Sequence, residues 1–510
     1  MKTLVVLLFA ATAIHAQQAC ADLKNLTLPQ VVIASATPVP SGPFGLPGTT
    51  RSIQAPAFCR VVGTVWPEVE FEVWLPTQWN TKFMGVGNGG QAGSISYTAM
   101  VTPLQAGYTI ASTDTGHKSA DAAWALGHPQ RIADFGYRGI HVMTQAAKAI
   151  TQAHYGSAPS HSYFDGCSNG GRQALMEAQR YPEDYDGIIA GDPANQWTHL
   201  YTGAHLWIVR AMDGDGYIPS AKIPALAAAV NKACDSLDGI TDGILNDPRL
   251  CHYDPSALLC KGSDEPTCLT AAQIESVRKI WNGARSAEGD QITPGLMPGG
   301  EDGTGGWQQW ITSTGPATGG HANLGLSGFK YMLFEDASWD YKTFRFDVPK
   351  GFDSDVDFMD QKLGSMMNAA DSDLRPFQAR GGKMIQYHGW SDPDISPLTS
   401  IQYYESVAAV TGHGGNYALR DTADFYRLFM VPGMQHCGGG PGPNSFSMLT
   451  ALEQWVEKDA APERIVATHS TSGQIDRSRP LCAFPKEAKW TGSGSTDDAA
   501  NFTCTLPARP

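Results

Sequence analysis

Between residues 69 and 90 the chain reads VEFEVWLPTQWNTKFMGVGNGG, in which apolar and polar positions alternate at the two-residue period of strands before breaking into glycines. GYTIASTDTG (107–116), SYFDGCSNGG (162–171) and DGIIAGDPA (186–194) are short apolar runs closed by turn residues. GYRGIHVMTQAAKAITQAHYG (136–156) and the stretch from Ser168 to Arg180 carry helical spacing instead. Strand and helix alternate, which predicts an α/β fold with a mostly parallel sheet covered on both faces. From about Trp197 to Arg375 the rhythm stops, giving way to an Ala-rich helix, clustered cysteines and the Gly- and Trp-containing PGGEDGTGGWQQWITSTG. It resumes at GGKMIQYHGWSDPDISP, YESVAAVTG, FYRLFMVPGMQHC and MLTALEQWVEKDAAP. The pattern predicts one α/β domain, residues 17–196 and 376–510, interrupted by an inserted domain at 197–375, with no internal repeats.

A length of 510 residues agrees, being too great for one ordinary core. Acidic residues outnumber basic ones 50 to 36, which argues against a nucleic-acid or anionic-membrane partner. The first 16 residues, with Lys2, an apolar run from Leu4 to Ile14 and small residues near Ala16, have the form of a secretory signal and are too short to span a bilayer. Export to an extracellular or periplasmic space follows, and ten cysteines then read as up to five disulfides. Proximity suggests Cys20 with Cys59, Cys234 with Cys251, Cys260 with Cys268 and Cys482 with Cys504, leaving Cys167 and Cys437 for each other; spacing alone does not fix this connectivity. Asn25-Leu26-Thr27 and Asn501-Phe502-Thr503 are glycosylation acceptors only in a eukaryotic secretory pathway.

The candidate chemistry begins at Gly166-Cys167-Ser168-Asn169-Gly170, which fits G-x-S-x-G, the turn that exposes a nucleophilic serine between a strand and a helix. A serine needs a histidine to take its proton and a carboxylate to orient that histidine. In the order Ser, acid, His, the strand-ending loops downstream offer Asp392 and Asp394, then His436. Asp392 is preferred as the acid because it stands nearer the strand end, with Asp394 read as a turn cap before Ile395. His388 reads as a structural hydrogen-bonder and His413 as a loop residue. His436 is followed by a cysteine as Ser168 is preceded by one, and a Cys167–Cys437 bond would tie the two loops together. The alternative is two unrelated cysteines beside an ordinary serine. Backbone N–H groups for an oxyanion would come from Asn169 and from GVGNGGQAG (85–93), at Gly89 or Gly90. That loop lacks the Lys-Ser/Thr ending of a phosphate cradle.

In the insertion, CDSLDGITDGILNDPRLC brings Asp235, Asp238 and Asp242 into one loop, with carbonyls at Ile240 and Ile244 as further hard-cation donors. The spacing is not that of an EF-hand, and two Asp-Gly turns explain the same residues without metal.

GCSNGGRQ, HGWSDPDIS and MQHCGGGPG resemble the Cys-Ser, Asp and His-Cys segments of the tannase and feruloyl esterase family of secreted serine esterases. The resemblance covers nearly the whole chain after the signal, and the five cysteine pairs are similar to the family's arrangement. It implies an α/β-hydrolase fold with a large inserted lid and structural Ca2+ bound by Asp235, Asp238 and Asp242 through side chains and by Ile240 and Ile244 through carbonyls. It implies no organic cofactor, and hydrolysis of small aromatic esters through an acyl-enzyme. Feruloyl-type (hydroxycinnamic) esters are the expected substrates, with galloyl esters or mono(2-hydroxyethyl) terephthalate as alternatives. Six lid tryptophans, Trp197, Trp207, Trp281, Trp307, Trp310 and Trp339, are compatible with an aromatic pocket or with core. Near GLSGFKYMLF, Phe329 and Lys330 stand where a specificity residue would be sought. The rival readings are a peptidase or lipase on the same scaffold and a non-catalytic secreted binding protein. An ester chain-length series and covalent labelling of Ser168 would separate them.

Overall fold

The computed structural model describes residues 17–286, 288–348, 352–412 and 418–507. The signal-like segment 1–16 and His413 lie outside them. Nine strands form one sheet: β1 (Val31–Val39), β2 (Phe58–Val65), β3 (Val69–Pro76), β4 (Lys82–Val86), β5 (Thr109–Thr113), β6 (His161–Cys167), β7 (Gly187–Gly191), β8 (Lys383–Gly389) and β9 (Tyr426–Val431). Their spatial order is β1-β2-β3-β5-β4-β6-β7-β8-β9. The pairings β1/β2, β2/β3 and β3/β5 are antiparallel, and the remaining five, from β5/β4 to β8/β9, are parallel. This is an α/β-hydrolase fold.

Parallel strands are buried on both faces and so read as continuous apolar runs; β7, GIIAG, is buried throughout. On one face Phe83, Phe164, Ile188 and Met384 pack against α1 (Gly139–Tyr155) through Met143, Ala147 and Ile150, and against α2 (Asn169–Arg180) through Leu175. On the other, Met84, Tyr163, Ile189 and Ile385 meet Met100, Leu104, Leu452 and Trp455. Among the described residues, none of the nine strands comes from 192–382. That segment packs its own cluster around α3 (Ile223–Cys234) and α4 (Ala271–Asn282). A second cluster joins it to the sheet-bearing part, with Trp197, Tyr201, Phe329 and Leu333 against Trp124 and Phe135.

All five cysteine pairings expected from the sequence are present: Cys20–Cys59, Cys167–Cys437, Cys234–Cys251, Cys260–Cys268 and Cys482–Cys504. Among the described residues no helix is long and apolar enough to cross a membrane.

Candidate active site

Strand β6 ends at Cys167 and helix α2 begins at Asn169, so Ser168 alone makes the turn. Its backbone takes φ 66° and ψ −123°, a region that costs a non-glycine residue about 1–3 kcal/mol and survives only where surrounding contacts enforce it. Those contacts are visible. The Ser168 N–H donates to the Gly191 carbonyl at 2.9 Å, and the Ser168 carbonyl accepts from Arg172 and Ala194 at 3.0 and 3.2 Å. The turn is tight enough that a Cβ on Gly166 would lie 2.4 Å from the Gly170 carbonyl oxygen. Ser168 itself is half-buried.

His436 reaches the same place from the loop after β9. Its Nδ1 bonds Asp392 Oδ2 at 2.7 Å, leaving Nε2 to handle a proton. Asp392 is 2 % exposed and its second oxygen accepts the N–H groups of Asp394 and Ile395 at 2.8 and 3.0 Å. The turn-capping role expected of Asp394 therefore belongs to Asp392, because both N–H groups point back at its Oδ1. Asp394 turns the other way, to Nε2 of His205 at 2.8 Å. His388 bonds Ser400 Oγ and the Ile395 carbonyl and approaches Asp392 Oδ2 to 3.3 Å, which makes it a support of the acid's loop.

Burial opposes the charge on His436, but Asp392 first, then Asp394 and Asp192, favour the imidazolium and raise its pKa to about 10. Burial likewise opposes the charge of Asp392, and the His436 ring prevails, holding its carboxyl below the usual range.

The disulfide fastens the two loops. Cys167 precedes Ser168, Cys437 follows His436, and their Cα atoms are 6.0 Å apart. Asp192, just past β7, lies beneath: its Oδ2 accepts the Cys437 N–H at 2.5 Å and its Oδ1 the Gly389 N–H at 2.8 Å. Burial and the Asp392 charge raise the Asp192 carboxyl to about 6, against the pull of His388 and His436. Nothing in the sequence around GDPA marked Asp192, since its partners lie about two hundred residues away.

The loop 87–90 packs on the start of α2, where a Cβ on Gly87 would sit 2.7 Å from the Gly170 Cα. The Gly87 N–H goes to the Asp165 carbonyl and that of Asn88 to Gln173. Gly89, exposed and with open space where a Cβ would be, is the next N–H along. Asn169 opens α2, where first-turn N–H groups have no partner within the helix.

From the segment 192–382, Trp310 stands edge-on to His436 with ring centroids 5.1 Å apart. Trp197 and Trp307 are core, at 3 % and 2 % exposure. Phe329 is fully buried against Trp339 and Phe344, because the wide-turned helix carrying it packs inward. Arg172, fully buried, donates to the carbonyls of Phe135, Gly136 and, across to the lid, Met367.

The acidic loop offers only oxygen donors, as a hard cation requires. Asp235 accepts the N–H groups of Asp242 and Gly243, and Asp242 pairs with buried Arg479 at 2.5 Å. Asp238 carries a carboxyl raised to about 6, by burial and by the charges of Asp242 and Asp235, against the Ile240 N–H and Arg479. The donor types are those a hard cation takes, and a cation held among them would offset the crowding around Asp238. Distant in sequence from His436, the loop lies against the segment that leads to it: a Cβ on Gly433 would lie 3.2 Å from Ile244 Cγ2.

Residues 51–505 match the family model described as tannase and feruloyl esterase. An esterase of Xanthomonas campestris pv. campestris, itself uncharacterised, is 41% identical over 99% of this chain and 94% of its own. The mono(2-hydroxyethyl) terephthalate hydrolase of Piscinibacter sakaiensis is 33% identical over 90% of this chain and 87% of its own. The crystal structure of feruloyl esterase B from Aspergillus oryzae superposes with a TM-score of 0.85 at 27% identity, over 95% of this chain and 99% of that one. With serine turn, histidine loop and buried carboxylate brought together on this fold, and with these matches along nearly its whole length, the chain belongs to the tannase and feruloyl esterase family of carboxylic ester hydrolases.

Proposed function

We propose that the protein is an exported feruloyl-type esterase that cleaves small esters of hydroxycinnamic acids through an acyl-enzyme. The observation that carries this reading is the buried Asp392–His436 pair, at 2.7 Å, on a loop disulfide-bonded to the residue before Ser168. Ser168 Oγ attacks the ester carbonyl as His436 Nε2 takes its proton; Asp392 holds the ring with Nδ1 protonated and stabilises the imidazolium. The N–H groups of Asn169 and Gly89 receive the oxyanion. The imidazolium then protonates the leaving alcohol, and water, deprotonated by the same histidine, releases the aromatic acid. Trp310 gives the acyl ring an aromatic wall beside His436, which supports aromatic over long aliphatic acids.

Asp235, Asp238 and Asp242, with the carbonyls of Ile240 and Ile244, would hold a structural Ca2+ that fixes their loop. Export is supported by five disulfides, which persist in oxidising compartments. The 33% identity to a terephthalate monoester hydrolase favours that ester as the second reading. The test is kcat/KM on matched methyl ferulate, methyl gallate and mono(2-hydroxyethyl) terephthalate. Methyl ferulate is expected to lead, and preference for either other ester would replace the assignment.

A further inference from the structure

Beside the Nε2 edge of His436 lies a group of buried side chains, of which ester hydrolysis uses only the charge of Asp394. Asp394 Oδ1 is 2.8 Å from His205 Nε2 and 3.5 Å from His321 Nε2. Its other oxygen, Oδ2, is 3.7 Å from His436 Nε2. The His205 and His321 rings are stacked with centroids 4.9 Å apart, and all three residues are 1–2 % exposed. Among the described residues neither ring nitrogen of His321 has a hydrogen-bond partner of ordinary geometry, nor has Nδ1 of His205. A polar nitrogen buried without a well-formed hydrogen bond is destabilising, so a buried histidine facing a carboxylate can gain from a ligand.

Two imidazoles and one carboxylate suit a borderline divalent cation, whereas calcium and magnesium prefer all-oxygen surroundings. Zinc bonds nitrogen and oxygen at roughly 2.0–2.2 Å in a tetrahedral array, which places its ligand atoms roughly 3.4 Å apart. Here the three candidate atoms lie within 4.8 Å of one another. We infer that His205 Nε2, His321 Nε2 and Asp394 Oδ1 form a zinc-binding site whose filling takes His436 out of action. Zinc would take the place of the His205 Nε2–Asp394 Oδ1 hydrogen bond, with each imidazole binding it through the Nε2 lone pair. The fourth position falls to water or to His436 Nε2. In the second case the nitrogen that accepts the serine proton is occupied, and in either case a cation stands beside a ring that must become an imidazolium. The inhibitory part rests on the reading of His436 as the base; the binding part does not.

The experiment titrates zinc chloride into the calcium-saturated protein by calorimetry and follows p-nitrophenyl acetate hydrolysis in parallel. One zinc per chain and at least a tenfold loss of turnover at saturation are expected, with turnover restored by a zinc-selective chelator while calcium is kept in excess. His321→Ala should weaken zinc binding at least tenfold. So should His205→Gln, whose amide still donates to Asp394, and melting curves identify which variants fold. Failure of the wild-type protein to bind zinc stoichiometrically would overturn the site, as would unchanged affinity in folded variants. Stoichiometric zinc with turnover intact would overturn the inhibitory coupling. A protein that hydrolyses no ester at all would count against the esterase reading, while calorimetry would still decide the site.

Discussion

Ser168 holds a backbone conformation that a serine in an ordinary helix cap does not need, and the strain sets its hydroxyl at the sheet's carboxyl edge. His436 is tuned by its carboxylates in a way that shows in pH dependence. An imidazolium cannot accept the serine proton, so a pKa raised to about 10 places the acidic limb of kcat/KM above pH 6.5, with a plateau only in the alkaline range. For stability the sign is opposite: the raised pKa contributes fully below 6.5 and its contribution fades as pH climbs toward 10. In Asp392→Asn the largest cause raising the pKa is gone, so the limb should move to lower pH while kcat falls by about 10^4. A pH–rate profile with an unmoved limb would assign the tuning elsewhere. Ser168, Asp392 and His436 were legible in sequence because each sits in a short local pattern of glycines or cysteines. Asp192 and the His205–Asp394 pair were not, because their meaning comes from partners 189 and more residues away.

At the scale of elements, two loops that follow different strands must meet within hydrogen-bonding tolerance. The Cys167–Cys437 bond and the Asp192 carboxylate beneath it do this jointly. Replacing both cysteines by serine should leave a folded protein with kcat lowered by roughly a hundredfold, the scale of a 1 Å misplacement; steady-state kinetics with a circular dichroism control would check it. An unchanged kcat would mean that Asp192 alone suffices. The parallel strands and α2 were readable because their apolar runs end at glycine turns. The strands Val31–Val39 and Phe58–Val65 escaped: in the first, at the sheet's edge, Val32 stays 69 % exposed, and in the second Arg60, Gly63 and Thr64 interrupt the apolar run.

Over the whole molecule, the inserted segment is fastened to the sheet-bearing part at several points. Arg172 reaches the Met367 carbonyl, Gln435 the carbonyls of Gly300 and Asp302, and Asp242 meets Arg479. The sequence marked the insertion by its loss of rhythm, yet could not say that the acidic loop backs onto the segment leading to His436. Calcium removal should therefore lower both the melting temperature and kcat. At a hundredfold excess over its dissociation constant the ion contributes about 2.7 kcal/mol, and Asp238→Asn should reproduce part of the loss. A melting curve and kcat both indifferent to chelation would remove calcium from the account.

The central claim is that Ser168 is a nucleophile activated by His436, and covalent labelling with a fluorophosphonate, located by mass spectrometry, tests it most directly. The account predicts one adduct, on Ser168, absent in Ser168→Ala and formed at least a hundredfold more slowly in His436→Ala. An adduct elsewhere, or labelling of Ser168 at an undiminished rate without His436, would contradict it.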